Sequence, residues 1–219
     1  NIFRVSRQVK QMPIAMDQAL IIHNNSNVQN GAIIMGHMLK IRVPATSANL
    51  GPGFDCLGLA LDIWNDVSFE AAEQLTYHVT GEGALKLNKR PKNLLTDAFA
   101  HVYEACGQKL VNTKIQADNR ILLSSGLGSS AAAIIAGLFG ANEILGGPMD
   151  KNALLKLATN IEGHPDNVAP ALLGGLVVSA TAGSEIITRR YKMPALTIVI
   201  VKPDVNWPTH VARSVLPKS

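Results

Sequence analysis

The residues best suited to chemistry fall in four short stretches. The first is SGLGSSAA, Ser125 to Ala132. Gly126 and Gly128 let backbone N–H groups come close to an anion, Ser129 and Ser130 add hydroxyls, and the alanines behind them begin a helix whose N-terminus carries partial positive charge. The chemistry implied is phosphate binding. Small residues at a glycine turn serve tight helix–sheet packing equally well, so this run alone leaves both readings open. It lacks the Gly-Lys-Ser/Thr ending of a Walker A loop and is not a dinucleotide-binding GxGxxG after the usual strand.

The second stretch, PATSANLGPGFD at Pro44 to Asp55, is a loop of small residues and turn formers. It offers Asn49 and Asp55 as polar groups, and an Asx-turn is the competing reading of Asn49. The third, EGHPDNVAPALLGG at Glu162 to Gly175, gathers Glu162, His164, Asp166 and Asn167 within six residues. A solvated helix end would account for Glu162, and an idle loop histidine before Pro165 for His164. In the fourth, PTHVARSVLP, Thr209 and Arg213 stand four apart and share one face of a helix. A lone arginine there is often a surface residue, yet its guanidinium suits a two-point grip on a carboxylate.

Strands and helices must bring these stretches together. LKIRV at Leu39 to Val43 alternates as a half-buried strand leading into the second stretch. LGLALDIWNDVSFE and LTYHVTGEG read as further strands, and KIQADNRILL as another. Leu94, Leu95, Ala98, Phe99, Val102 and Ala105 have helical spacing closed by Gly107, with Asn93 in place as an N-cap. SSAAAIIAGLFGANEILG passes from the glycine turn into an alanine-rich helix stopped by Gly146 and Gly147. Asp150 caps an amphipathic helix carrying Leu154, Leu157, Ala158 and Ile161 on one face, and Glu162 closes it. A loop and short helix follow, then LVVSA as a strand and the apolar ALTIVIVKPDV, Ala195 to Val205, as another.

Composition narrows the class. Among 219 residues, 47% are hydrophobic and only 5% aromatic, so the core is aliphatic packing between helices and a sheet. The net charge of +4 comes from scattered Lys and Arg without interleaved aromatics, which argues against a nucleic-acid face while still favouring an anionic small molecule. Cys56 and Cys106 lack metal or disulfide spacing, in keeping with free thiols in a reducing cytoplasm. No apolar run is long enough for a membrane helix, and no signal-peptide pattern is present. Residues 1–37, Asn-rich between Asn24 and Asn30, read as a non-native or disordered leader with Met38 as the natural start.

SGLGSSAA matches the central motif of the GHMP kinases, a family named for galactokinase, homoserine kinase, mevalonate kinase and phosphomevalonate kinase. The resemblance runs from Leu39 to Ser219 and includes two of the family's three motifs, with Leu122 standing where the family usually has proline. It implies an α+β fold: a ribosomal-protein-like βαβ two-layer sandwich with a left-handed crossover over 38–194, and the start of a C-terminally truncated ferredoxin-like domain over 195–219. It implies an ATP site at Leu122, Leu123, Ser124, Ser125, Gly126, Leu127, Gly128, Ser129, Ser130, Ala131 and Ala132, with Asn93 on the adenine side. Magnesium would lie on Ser130 and Glu162. An amino-acid acceptor would be held by Asn49, Asp55, His164 and Arg213, with Asp166, Asn167 and Thr209 at the reacting hydroxyl. Asp166 would act either as general base or only to orient that hydroxyl.

The second and third stretches resemble the branch of the family that phosphorylates homoserine. That branch implies transfer of the ATP γ-phosphate to the hydroxyl of L-homoserine in threonine biosynthesis, by a cytoplasmic enzyme with a small-molecule substrate, no nucleic-acid or membrane partner, and room for a homodimer. A mevalonate-like kinase, or a chain that binds nucleotide without turnover, is the alternative.

Overall fold

The computed structural model describes residues 21–24, 28–29, 32–33, 36–90, 93–194 and 196–201. Its centre is a hairpin of two long strands, β4 (Met38–Leu50) and β5 (Gly53–Ala71), paired antiparallel through almost their whole length. The register shifts between Pro44 and Ala45 and again between Ala48 and Leu50. Irregular pairing bends a strand and frees side chains from strict alternation, and here it falls on the second candidate stretch. Ala45 and the polar Thr46 are consequently both fully buried.

Strand β5 carries two neighbours in sequence along its length. Its second half pairs antiparallel with β7 (Thr113–Asn119), its first half with β8 (Leu176–Ala182), which in turn pairs with β9 (Glu185–Tyr191). Strand β6 (Thr76–Gly81) lies parallel to β7. The connection between β6 and β7 contains α1 (Ala84–Leu87) and α2 (Leu94–Ala105), so this is a βαβ unit in a mixed sheet. On the far side of β4, β1 (Ile21–Asn24) adds an antiparallel strand, and β2 (Val28–Gln29) pairs with β3 (Ala32–Ile33). These short strands fall within the stretch read from sequence as a leader; residues 1–20 lie outside the described residues.

Helices cover one face of the sheet. The long α3 (Ser129–Ile144) is apolar nearly all round, as a helix enclosed by neighbours must be. A side chain at Gly137 would strike the backbone of α2, and one at Gly140 the ring of Phe69, so these two glycines set how closely helix and sheet approach. Phe69 stacks on Phe99 at 5.6 Å between centroids, joining β5 to α2, a contact worth about 1 kcal/mol beyond burial. Helices α4 (Lys151–Glu162) and α5 (Pro165–Leu173) complete the layer. Asp150 caps α4 through the Ala153 N–H, as its position predicts.

The expected strand over Ala195–Val205 is not formed among the described residues 196–201, which join no ladder. A strand exists by pairing; here Leu196, Val199 and Val201 are exposed, while Ile198 and Ile200 pack against the core. The hairpin strand β9 and the single-turn helix α1 were not legible from periodicity. Thr209, Arg213 and the remainder of 202–219 lie outside the described residues.

Candidate active site

The phosphate-type loop leads directly into α3. Ser124, Gly126 and Gly128 all have left-handed backbone, with φ of 52°, 73° and 65°. Left-handed residues at alternate positions turn successive N–H groups toward a common concavity, the geometry of an anion nest. Gly128 is the N-cap of α3 and provides no side-chain cap, so the first N–H groups of the helix remain available to a ligand. A side chain at Gly128 would collide with the Thr46 hydroxyl in addition to adopting an unfavourable φ. Ser125 turns its hydroxyl back onto the Leu122 carbonyl at 2.7 Å, bracing the loop in place of the family's proline.

This loop forms one wall of a cavity of about 690 Å³, a volume suited to a nucleotide-sized ligand. At one end stand Asn93, Leu94, Tyr77, Asn65 and Asn119, with Lys86 and Arg90 flanking them. Asn93 also caps α2, accepting from the Thr96 N–H at 3.0 Å, so its binding and capping readings coexist at one position. Burial pushes the Tyr77 hydroxyl up to about 12, leaving it a neutral hydrogen-bonding group at physiological pH. At the other end stand Ser130, Glu162, His164, Asn167 and Asn49.

Residues 162–167 reach this end through a sharp reversal. Gly163 ends α4 with φ of 97°, and Pro165 starts α5 immediately, so Glu162 at one helix end and His164, Asp166 and Asn167 at the next share one corner. Asp166 is fully buried and receives three side-chain contacts: His164 Nδ1 and Asn167 Nδ2 on Oδ1 at 2.6 and 3.2 Å, and Asn49 Nδ2 on Oδ2 at 3.2 Å. Its carboxylate lies behind the cavity wall, while His164, Asn167 and Asn49 face the cavity. Gly58 makes this burial possible, because any side chain there would run into the Asp166 backbone carbonyl.

Ser130 donates to Glu162 Oε1 at 2.6 Å, across thirty-two residues of sequence. Burial raises the Glu162 carboxyl above its ordinary range, opposed in part by the Ser130 hydroxyl and His164. A cation beside this carboxylate would offset the cost of burying its charge. Two hard oxygens beside a phosphate cradle fit magnesium, an ion that keeps several waters and shares phosphate oxygens. Among the described residues no group of three or more His, Cys, Asp or Glu gathers to hold a metal by itself.

The remaining sequence-derived candidates are placed differently. Ala131 is buried in the core, Leu122 packs against it, and neither faces the cavity. Asp55, with φ of 56°, is tied to the site through its backbone N–H, which donates to Asn49 Oδ1 at 2.8 Å; its carboxylate is not part of the cavity wall. Sequence reading passed over Thr46, Asn65, Tyr77, Lys86, Arg90 and Asn119. The basic spacing of Lys86, Lys89 and Arg90 before Pro91 was an available signal; the others depend on pairing between distant strands.

Comparison with known proteins gives three consistent results. Residues 93–175 match the family described as GHMP kinases N terminal domain. The homoserine kinase of Desulfitobacterium hafniense is 42% identical over 183 residues, covering 83% of this chain and 62% of that protein; the homoserine kinase of Moorella thermoacetica is 44% identical over 181 residues, covering 82% and 61%. The crystal structure of homoserine kinase from Cytophaga hutchinsonii superposes with a TM-score of 0.66 at 29% identity, covering 83% of this chain and 61% of that one. The chain thus spans about three fifths of the length of the relatives it matches. Its α+β architecture is that of the family's N-terminal domain.

Proposed function

We propose that this chain, similar over most of its length to homoserine kinases of the GHMP family, represents an ATP:L-homoserine phosphotransferase, making O-phospho-L-homoserine for threonine biosynthesis in the cytoplasm. The observation that carries this reading is the Asn49–Asp166–His164–Asn167 corner, set beside the uncapped N-terminus of α3. GHMP kinases in general use ATP with magnesium.

In this reading the α3 N-terminus and the loop amides take the phosphates, while Asn93 and Tyr77 flank the nucleoside. Ser130 and Glu162 would hold the magnesium, which neutralises phosphate charge when bound. Phosphoryl transfer asks mainly for alignment and charge stabilisation, so the remaining residues act by holding the acceptor in line. His164, Asn167 and Asn49 line the side of the cavity assigned to the acceptor. Asp166 orients all three from behind, and its buried position supports the orienting role over direct proton abstraction from the acceptor. Thr209 and Arg213, outside the described residues, are assigned to the acceptor hydroxyl and carboxylate by resemblance.

The test is an ADP-release assay on the full-length parent protein with magnesium and ATP, offering L-homoserine, mevalonate and galactose as acceptors. Homoserine alone should accelerate release. Acceleration by mevalonate instead would transfer the chain to the mevalonate-like alternative, and tight nucleotide binding with no acceptor-dependent release would support the non-catalytic one.

A further inference from the structure

Thr46 lies deeper than any of the described candidate site residues except Asp166 and Ala131, with no exposed surface at all. Its neighbours Val43, Pro44 and Ala45 are also buried, and a valine would fill the same space without bringing a hydroxyl that needs a partner. That hydroxyl donates to Asn167 Oδ1 at 2.8 Å. The Thr46 backbone N–H donates to the Leu127 carbonyl at 3.1 Å, and the Gly128 Cα packs directly against the hydroxyl. One residue of β4 therefore touches both the phosphate loop and the first turn of α5.

Resting on the kinase reading above, we propose that Thr46 is a positioning residue that sets the orientation of the Asn167 carboxamide and fixes its distance from the phosphate loop. With Oδ1 occupied by the Thr46 hydroxyl, Asn167 Nδ2 is directed to Asp166 Oδ1 at 3.2 Å. Turned over, the amide would place oxygen against the buried Asp166 carboxylate, an unfavourable contact. Removing the hydroxyl unlocks that choice and leaves Oδ1 unsatisfied. Because in-line transfer depends on ångström-scale alignment, the loss belongs in the chemical step rather than in nucleotide binding.

The experiment uses the full-length parent protein with Thr46→Val and Thr46→Ser. The valine variant should lower kcat by about 10–100-fold, while the affinity for ATP and the magnesium requirement shift no more than about 3-fold. Serine should restore kcat to within about 3-fold of the parent. In an Asn167→Ala background, Thr46→Val should cost nothing further, as coupled residues require. Nitrogen-15 NMR of the Asn167 side-chain amide supplies a readout independent of turnover: its two protons should exchange slowly in the parent and Thr46→Ser proteins and rapidly in Thr46→Val. An unchanged amide signal and kcat in Thr46→Val, additive losses in the double variant, or an equal fall in nucleotide affinity would overturn the role. A parent protein that fails to phosphorylate homoserine would count against the kinase reading alone, since the amide exchange still decides the fate of Thr46.

Discussion

Two parts of the cavity lining are built from different materials. The part proposed to take phosphate is backbone: left-handed turns at Ser124, Gly126 and Gly128, and the N–H groups at the start of α3, which no side chain caps. The part proposed to take the acceptor is a web of side chains drawn from β4 and from the N-cap and first turn of α5, gathered around one buried carboxylate. A backbone site is coded by a few glycines in one run of sequence. A side-chain web is coded by residues up to 121 positions apart and exists only once the sheet has formed. The first should fail when a glycine acquires a side chain, the second when any single polar group is lost.

The largest effect that would break this contrast is at Gly128. Gly128→Ala should destabilise the fold by about 2–4 kcal/mol, from the left-handed φ together with collision against Thr46, and should abolish nucleotide binding. Urea unfolding followed by tryptophan fluorescence, with titration of a fluorescent nucleotide, measures both. Full binding by a stable variant would show that the loop tolerates a side chain and that its geometry is not what makes the site.

Much of the backbone end was legible in the sequence, and rather little of the web. SGLGSSAA announced a turn and a helix start because glycine and small residues have local consequences, and Asn93 and Asp150 announced caps for the same reason. Ser130 and Glu162 were paired only through family resemblance, and the structure brings them within 2.6 Å. Thr46 left no trace, since nothing local distinguishes a buried threonine whose partner lies on a distant helix. The same limit bears on the strand expected at Ala195–Val205: a run of apolar residues records a preference for burial, and the described residues 196–201 join no ladder.

A smaller effect sharpens the boundary between the ends, where Ser130 and Glu162 meet. Ser130→Ala should reduce magnesium-dependent turnover by about 100-fold, on the scale of losing one preorganised charge-stabilising group, and should raise the magnesium concentration for half-maximal rate. An unchanged magnesium titration would remove Ser130 from the metal site and make its bond to Glu162 purely architectural.

The smallest expected effect concerns Glu162 and pH. Its folded-state carboxyl is raised by burial, so as pH climbs the unfolded chain releases this proton first, and the folded state is progressively penalised until its own raised value is passed. In metal-free buffer the parent protein should lose stability relative to Glu162→Gln as pH rises through and above the ordinary carboxylate range. Denaturation midpoints of the two proteins at matched pH measure the difference. A gap that narrows toward neutral pH would contradict the burial of this carboxylate.

The central claim is that this cavity places a phosphoryl group in line with the side-chain hydroxyl of an amino acid. Its most direct test is phosphorus-31 NMR of the products formed by the full-length parent protein from ATP, magnesium and L-homoserine. The expected product is a new phosphate monoester whose phosphorus couples to the methylene protons beside the former hydroxyl, accumulating one for one with ADP. ADP accompanied only by inorganic phosphate, or no consumption of ATP in the presence of homoserine, would contradict it.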